Sequence, residues 1–421
     1  MNLDGTAAVT VPRLTGSVPT RTRILTAVLA AALLAALATA VTVTGQLAPD
    51  DASVTPKAYH ALLILVGAAM LLRGRIPRPR AELLLYFGVT ISATLLAYIV
   101  YEPRVAAIKL LIALYAALIG ASIGRVVGER LILKAARAAG VVFLIAVTVK
   151  NAQYVPAFIS YLARPFGHPE VPSLAGGGLN LEASWLALAS FFLIGSALFV
   201  PFALAAAATS ALYATRAGLV IVGLAICAAL AHAWATRKHE SGHVAADRRG
   251  ARTSLRRIAT LSLACLAVGG MRMAIRTAGE YGDTTYVAQR FSAIGDEPGS
   301  LGRMTLWRGG LRVFAENPMG VGAGNAVPML RRVLGVAVPE DNLHNIYLQH
   351  AVETGLPGLA ALLVFAIVAA LRVVRSRFRD QLLLFVAAYL VAGVIQFTGV
   401  DAILWLVYGL QSGASGGASN A

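Results

Sequence analysis

The chain of 421 residues is 58% hydrophobic and only 13% charged, with a mean hydropathy of +0.72. A soluble domain carries about a quarter charged residues, so this composition excludes a soluble globular protein. The net charge is +16, but the basic residues stand in short clusters between apolar runs, which is a membrane-orientation pattern and argues against nucleic acid as a partner.

Apolar runs long enough to cross a bilayer recur along the chain, without the alternation of barrel strands. Because water cannot satisfy the backbone inside lipid, each run is predicted to form a helix. We therefore expect an all-α, polytopic transmembrane helical bundle of about 11–12 spans. The predicted spans are residues 24–44, 58–72, 82–101, 105–123, 138–161, 183–199, 201–215, 217–235, 258–275, 345–371 and 381–399, with a shorter twelfth piece at 402–410.

The spans divide the chain into five parts. Residues 1–23 are predicted to be a cytoplasmic N-terminal tail, 24–275 the main transmembrane bundle, 276–343 a long extracytoplasmic loop, 344–410 the C-terminal transmembrane helices and 411–421 a disordered tail. The disorder is expected because this tail is rich in Gly, Ser and Ala.

Clusters of Arg and Lys orient the spans, since loops rich in these residues stay on the cytoplasmic side. Such clusters mark inside loops at residues 73–80, 125–137, 237–257 and 372–379. Residues 162–182 then fall outside and 237–257 inside, so the stretch 183–215 must cross and return. Pro201 is the expected break of this hairpin, and Arg216 is then expected at the outer surface.

The loop 276–343 is the only long polar stretch, and loops of this length are usually functional or disordered. Trp307, Phe314 and the spacing of neighbouring apolar residues favour a folded, partly helical loop lying on the membrane. Pro318 is expected to stop a helix, and three glycines between 320 and 324 allow a tight turn. Backbone N–H groups in such a turn form either an anion-binding nest or a plain surface turn.

Arg216, Arg303 and His344 are predicted to converge on the outer face. Each also has an ordinary interpretation. Arg216 fits an arginine at a helix end that reaches the interface, and Arg303 fits a loop residue paired with Asp296 or Glu297. His344 fits a histidine at a helix terminus without a catalytic task.

A helix start is predicted just before His344, with Asp341 or Asn342 as the N-cap. His344 would then lie in the first turn, where the helix dipole disfavours the imidazolium form. A neutral histidine is suited to act as a general base.

No metal site or cofactor is predicted. His350 follows His344 by six residues, about 240° around a helix, and no acidic pair joins them. Cys227 and Cys265 lie within apolar runs, where cysteine behaves as a small hydrophobe.

Three segments of the chain resemble the bacterial O-antigen ligase and polymerase superfamily, over about residues 210–360. They are Tyr213-Ala214-Thr215-Arg216-Ala217-Gly218, the loop segment 302–325 with its Glu316-Asn317-Pro318 and glycines, and His344-Asn345-x-x-Leu348-x6-Gly355. Two departures from the family's usual form are the short stretch 183–215 and the truncated final span.

The resemblance implies an inverting, metal-independent glycosyltransferase of the bacterial cytoplasmic membrane, acting at its outer face. The implied donor is a glycan on a polyprenyl diphosphate carrier, and the implied acceptor is the hydroxyl group of a glycan or a lipid. Membrane lipid is a further expected partner. Arg216 and Arg303 would hold the diphosphate and stabilise charge on the leaving group. His344 would orient or deprotonate the acceptor hydroxyl. Further substrate-binding candidates are Arg290, Arg308, Arg312, Trp307, Gly322, Gly324, Asn325 and Asn345.

Alternatives stay open at this point. A ligase and a polymerase use the same donor leaving group, so these residues do not separate them. A lipid-linked oligosaccharide flippase or transporter would usually show internal repeats and ionisable residues near the membrane midplane, and neither is evident in the sequence. A non-catalytic anchor or receptor would leave His344 and the glycine-rich turn unexplained.

Overall fold

A computed structural model describes residues 20–39, 57–72, 79–162, 171–175, 178–240, 298–335, 338 and 342–417. Within these ranges the regular elements are helices, which confirms the predicted all-α fold. The helices are α1 (Thr20–Leu37), α2 (Ala58–Leu72), α3 (Ala81–Ala97), α4 (Ile108–Val127), α5 (Glu129–Gln153), α6 (Val155–Leu162), α7 (Gly178–Leu193), α8 (Phe199–Leu212), α9 (Arg216–Glu240), α10 (Pro298–Glu316), α11 (Ala326–Leu334), α12 (Ile346–Arg375), α13 (Gln381–Ala392) and α14 (Ala402–Gly417).

Four helical stretches in the described part of the chain are long and apolar enough to cross a membrane. They are Val105–Val127, Glu129–Gln153, Arg216–Thr236 and Ile346–Arg375. Shorter apolar helices lie within α2, α3, α7, α8 and α13. The predicted span 258–275 and the first part of the predicted loop, up to residue 297, lie outside the described residues.

The stretch 183–215 folds as a hairpin of α7 and α8, but it breaks earlier than predicted. The turn between the two helices contains Gly195, whose φ of +79° is in the left-handed region that favours glycine. Pro201 instead lies in the first turn of α8, where its missing N–H costs no helical hydrogen bond. The chain turns at residues 194–198, so the predicted break at Pro201 was wrong by three to seven residues.

Helix α5 also begins earlier than the predicted span 138–161. Gly128, with φ +80°, separates α4 from α5. The basic residues predicted for a loop therefore lie on helices, with Arg125 in the last turn of α4 and Arg130, Lys134 and Arg137 on α5. One of them, Arg137, donates from Nε to the Phe192 carbonyl at 2.8 Å. This contact satisfies one of the free carbonyl groups at the end of α7.

Helices α4 and α14 pack with their backbones in contact. A Cβ atom on Gly120 would lie 2.4 Å from the Leu406 carbonyl oxygen, and Gly124, Gly409 and Gly413 are confined in the same way. Two Gly-xxx-Gly pairs thus face each other, an arrangement that lets membrane helices approach closely.

This packing corrects the prediction for the C-terminus. Residues 411–417 were predicted to begin a disordered tail, but α14 continues to Gly417. The small residues that suggested disorder are those that the close approach to α4 requires. The side chain of Gln411 adds a hydrogen bond to Asp380 Oδ2 at 2.9 Å. Residues 418–421 lie outside the described residues.

The two ends of the bundle are distinguished by their contacts. At one end, Arg372 Nη2 lies 2.5 Å from Glu82 Oε1, and Arg372 Nη1 donates to the Tyr408 hydroxyl at 2.7 Å. We call this the Arg372 end. At the opposite end of α12, the N–H of Ile346 donates to the Gly393 carbonyl at 2.8 Å. We call this the Asn345 end, after the residue that caps α12.

Candidate active site

Arg216 and His344 lie at the same end of the bundle. On α9, His232 is about 24 Å along the axis from Arg216. The His232 ring Nδ1 donates to the Phe378 carbonyl at 2.9 Å, and Phe378 follows α12 at the Arg372 end. Arg216 therefore lies at the other end, the Asn345 end, which is where His344 precedes α12.

Helix α10 places Arg303 at the same end of the bundle as Arg216 and His344. Arg303 lies one turn before Trp307, so the two side chains share a face of this helix. The Trp307 indole Nε1–H donates to the Leu343 carbonyl at 2.9 Å, directly beside His344. The face of α10 that carries Arg303 therefore meets the His344 segment. Arg216, Arg303 and His344 are each half-buried.

The local structure around His344 differs from the prediction. The N-cap of α12 is Asn345, whose side-chain oxygen accepts from the N–H groups of Tyr347 and Leu348 at 3.0 Å each. His344 therefore precedes the helix and does not lie in its first turn. Its φ of +50° is left-handed, and its N–H donates to Asn342 Oδ1 at 2.7 Å. Asn342 thus supports His344 directly, and the predicted N-cap, Asp341 or Asn342, was wrong.

Both peptide groups of Leu343 are held by side chains. The Leu343 carbonyl accepts from Trp307, and the Leu343 N–H donates to Gln349 Oε1 at 2.9 Å. Gln349 Nε2 in turn donates to Glu353 Oε1 at 2.6 Å. Leu343 itself is fully buried, so the segment before His344 is fixed in a dry environment.

The glycine-rich turn after α10 packs against α12 at a break in that helix. Gly355 has φ +67°, and a Cβ atom there would lie 2.3 Å from the Met319 carbonyl carbon. The N–H of Gly322 donates to the Glu353 carbonyl at 2.8 Å, and the N–H of Gly324 donates to the Glu353 carboxylate at 2.9 Å. The Gly324 N–H thus binds a carboxyl oxygen of the chain's own Glu353, whereas the Gly322 N–H binds the main chain of the same residue.

The other predicted substrate-binding residues have varied surroundings. Asn325 is buried, and its side chain accepts from Arg104 Nε at 2.9 Å and donates to the Glu102 carbonyl at 3.0 Å. Arg308 is exposed, and Arg312 pairs with Glu316 at 3.0 Å on the surface of α10. Arg290 lies outside the described residues. For all of these residues, and for Trp307, Gly322, Gly324 and Asn345, a role in substrate binding stays a prediction.

A buried charged cluster beside Arg216 was not predicted from the sequence. Lys150 Nζ lies 2.6 Å from Glu182 Oε1, and their side chains are 7% and 0% exposed. The Tyr213 hydroxyl lies 3.0 Å from Lys150 Nζ and donates to Glu182 Oε1 at 2.6 Å. Tyr213 closes α8 and precedes Arg216 by three residues, so this cluster fixes the turn that leads to Arg216.

Stacked aromatic rings connect this cluster to the start of α12. Trp185 follows Glu182 on α7, and its ring stacks on Tyr389 of α13 with centroids 5.9 Å apart. Tyr389 lies one turn before Gly393, whose carbonyl accepts from Ile346. The surroundings of Arg216 and of His344 therefore share one packed core.

His350, the second histidine of the motif region, is buried at 4% exposure. Its Nδ1 lies 2.8 Å from the Ile346 carbonyl, and its Nε2 lies 2.6 Å from the Tyr86 hydroxyl. Both ring nitrogens therefore have protein partners between α3 and α12. No group of three or more His, Cys, Asp or Glu residues suited to a metal ion occurs among the described residues.

The long apolar helices of the bundle make this a polytopic α-helical membrane protein. Arg216, Arg303 and His344 lie at one end of that bundle. Residues 183–363 match the family model of the O-antigen ligases. The match confirms the predicted resemblance to the O-antigen ligase superfamily and covers Arg216, Arg303 and His344. It supports a bacterial membrane glycosyltransferase of the O-antigen ligase and polymerase type. No curated protein matches the chain.

Proposed function

We propose that the protein transfers a glycan from a polyprenyl diphosphate carrier to the hydroxyl group of a glycan or lipid acceptor. The observation that carries this proposal is the family match over residues 183–363, within which Arg216, Arg303 and His344 lie at one end of the bundle. The basic cluster at the Arg372 end favours the cytoplasmic side for that end. The reaction would then take place at the extracytoplasmic face of the cytoplasmic membrane.

The proposed step is a single displacement with inversion. The acceptor oxygen forms a bond to the anomeric carbon while the bond from that carbon to the diphosphate oxygen breaks. The acceptor proton passes to the imidazole of His344, and the polyprenyl diphosphate leaves with the bonding electron pair. The step requires no metal ion and no cofactor, so we expect EDTA to leave transfer unchanged.

Arg216 and Arg303 are proposed to bind the diphosphate. A guanidinium group presents a planar fork of donors that matches phosphate oxygens, and it remains charged at every relevant pH. Their positive charge opposes the negative charge that develops on the leaving group, which lowers the barrier to bond cleavage.

Loss of the protein tests the reaction in cells. Polyprenyl diphosphate-linked glycans would be extracted from cells lacking the protein and compared with the parent strain. Accumulated full-length glycan supports a ligase, the function that we favour. Accumulated single repeat units would indicate the second candidate, a polymerase of the same superfamily. Unchanged carrier-linked glycans would contradict both the ligase and the polymerase function. Glycan retained on the cytoplasmic side would also contradict both, because a flippase defect has that result.

Replacement of His344 by alanine tests the proposed base. The variant is expected to insert into membranes normally and to lose glycan transfer, because no group would accept the hydroxyl proton. Transfer would be measured with purified protein in vesicles supplied with carrier-linked glycan and acceptor. Retained transfer by His344→Ala would remove His344 from the mechanism.

A further inference from the structure

Side chains hold three backbone groups next to the His344 imidazole: the Leu343 N–H, the Leu343 carbonyl and the His344 N–H. Trp307 and Gln349 bind the carbonyl and the N–H of Leu343, at 2.9 Å each. Asn342 accepts from the His344 N–H, and the next residue, Asn345, caps the helix.

The backbone of His344 explains why such support is needed. A residue other than glycine with φ +50° carries a conformational cost. Such a conformation persists only where the surrounding structure determines it. It also turns the histidine away from the direction that a helical residue would take.

We propose that Trp307, Gln349 and Glu353 are positioning residues for the His344 imidazole. This proposal rests on the proposed function. Trp307 donates to the Leu343 carbonyl, and Gln349 accepts from the Leu343 N–H. Glu353 Oε1 accepts from the Gln349 amide at 2.6 Å and so fixes its orientation. Because Leu343 is fully buried, loss of either hydrogen bond leaves a Leu343 peptide group without its partner in the protein interior. The segment then moves, and the imidazole moves with it.

Glu353 extends the support to the glycine-rich turn. Its Oε1 atom accepts from both Gln349 Nε2 and the Gly324 N–H. The turn that follows α10 and the segment that carries His344 are therefore fixed by one carboxylate. Trp307 on α10 contacts Leu343 directly, and the glycine-rich turn is linked to Leu343 through Glu353 and Gln349. Both segments are therefore tied to residues 342–345, which precede α12.

The test replaces Gln349 with methionine, which has a similar size but neither donates nor accepts as an amide. The matched control is Gln411→Met at the Arg372 end, because Gln411 is also buried and also donates to a carboxylate, Asp380. Glycan transfer would be measured in vesicles with kcat and the KM for the carrier-linked donor determined separately. The fold of each variant would be checked by thermal unfolding in detergent.

We expect Gln349→Met to lower kcat by about 10- to 100-fold, since a catalytic group displaced by about an ångström costs that much. Its donor KM should stay within about twofold of the parent value, because the diphosphate is held by the arginines. Gln411→Met should leave both constants within about twofold. An unchanged kcat in Gln349→Met, or a loss confined to the donor KM, would overturn the positioning role.

Trp307→Phe is a second variant, which keeps a smaller aromatic ring and removes the hydrogen bond to Leu343. It is expected to lower kcat by about tenfold, again without a change in donor KM. A second readout is the rate at which diethyl pyrocarbonate modifies His344, followed by mass spectrometry. This rate should rise in both variants and stay constant in Gln411→Met, and a constant rate in all three would contradict the proposal.

The His344→Ala variant separates the two proposals. If His344→Ala is inactive while folded Gln349→Met and Trp307→Phe retain the parent kcat, the positioning role fails and the proposed base stands. If His344→Ala retains transfer, the assignment of the base fails, and the positioning role fails with it.

Discussion

The two sides of the candidate site are held by different kinds of contact. On the Arg216 side, a buried ion pair between Lys150 and Glu182 joins α5 and α7, and Tyr213 ties the pair to the end of α8. On the His344 side, neutral side chains hold the backbone of Leu343. The first side depends on charge between helices, and the second depends on hydrogen bonds to one peptide segment.

This difference predicts that substitutions on the two sides of the site have different effects. A charge left alone in the core carries a large desolvation penalty, so damage on the Arg216 side should unfold the bundle. A peptide group left without its partner costs less, so damage on the His344 side should leave a folded protein with a misplaced histidine. Stability is therefore the sensitive measurement on one side, and kcat is the sensitive measurement on the other.

The largest effect on stability is expected from Glu182→Leu. This change leaves the Lys150 ammonium buried without its carboxylate and should lower the free energy of unfolding by about 3–5 kcal/mol. Unfolding in detergent, followed by intrinsic tryptophan fluorescence, measures the change.

The matched control is the double variant Lys150→Met/Glu182→Leu, which removes both charges. It should recover most of the lost stability, because replacing a buried pair by apolar residues is often neutral. A single variant as stable as the parent protein would mean that the ion pair does not hold the Arg216 side together.

An intermediate effect, on substrate binding, is expected from Arg303→Lys. A lysine ammonium is a point charge and does not reproduce two parallel hydrogen bonds to a diphosphate. The KM for the carrier-linked donor should rise by roughly tenfold or more, given that a hydrogen bond to a charged group contributes about 1.5–3 kcal/mol. Arg375→Lys, an exposed arginine at the Arg372 end, is the control. Normal donor binding by Arg303→Lys would argue against a diphosphate contact.

The smallest effect is expected at the helix cap. Asn345→Ala removes the acceptor for the Tyr347 and Leu348 N–H groups and should cost about 1 kcal/mol of stability. Asn345→Asp keeps this acceptor and removes only the amide donors. If Asn345 acts only as a cap, the aspartate variant should transfer glycan at the parent rate. A loss of transfer in a stable Asn345→Asp variant would instead support the predicted contact with substrate.

Much of the architecture followed from the sequence alone. Long apolar runs predicted a helical membrane bundle, and the charge pattern predicted that 183–215 forms a hairpin ending near Arg216. The motifs around Arg303 and His344 predicted a resemblance that the match of residues 183–363 to the O-antigen ligase family model confirms. These features depend on local composition and spacing, which a single sequence contains in full.

Contacts between distant segments were the features that escaped prediction. Lys150 lies within the predicted span 138–161 and Glu182 just before the predicted span 183–199, and neither local pattern indicates that the two side chains pair. Opposite charges inside two apolar segments are nevertheless a usable signal, because charged side chains within membrane helices usually pair. Likewise, the acid and amide of Glu353 and Gln349, one turn apart on an apolar helix, indicate a buried polar network.

The start of α12 shows a second limit. Asp341, Asn342 and Asn345 are all good capping residues, and the sequence does not choose among them. The choice depends on the left-handed backbone at His344 and on the contacts of Leu343, which exist only in the folded protein.

The close approach of α4 and α14 also sets an order of assembly. Helix α4 leaves the ribosome long before α14, so the groove formed by Gly120 and Gly124 stays open while most of the described helices are inserted. The segments that carry Arg216, Arg303 and His344 lie between these two helices in the chain. During synthesis from the N-terminus, the contact between α4 and α14 therefore forms only after the segments that carry Arg216, Arg303 and His344 have been made.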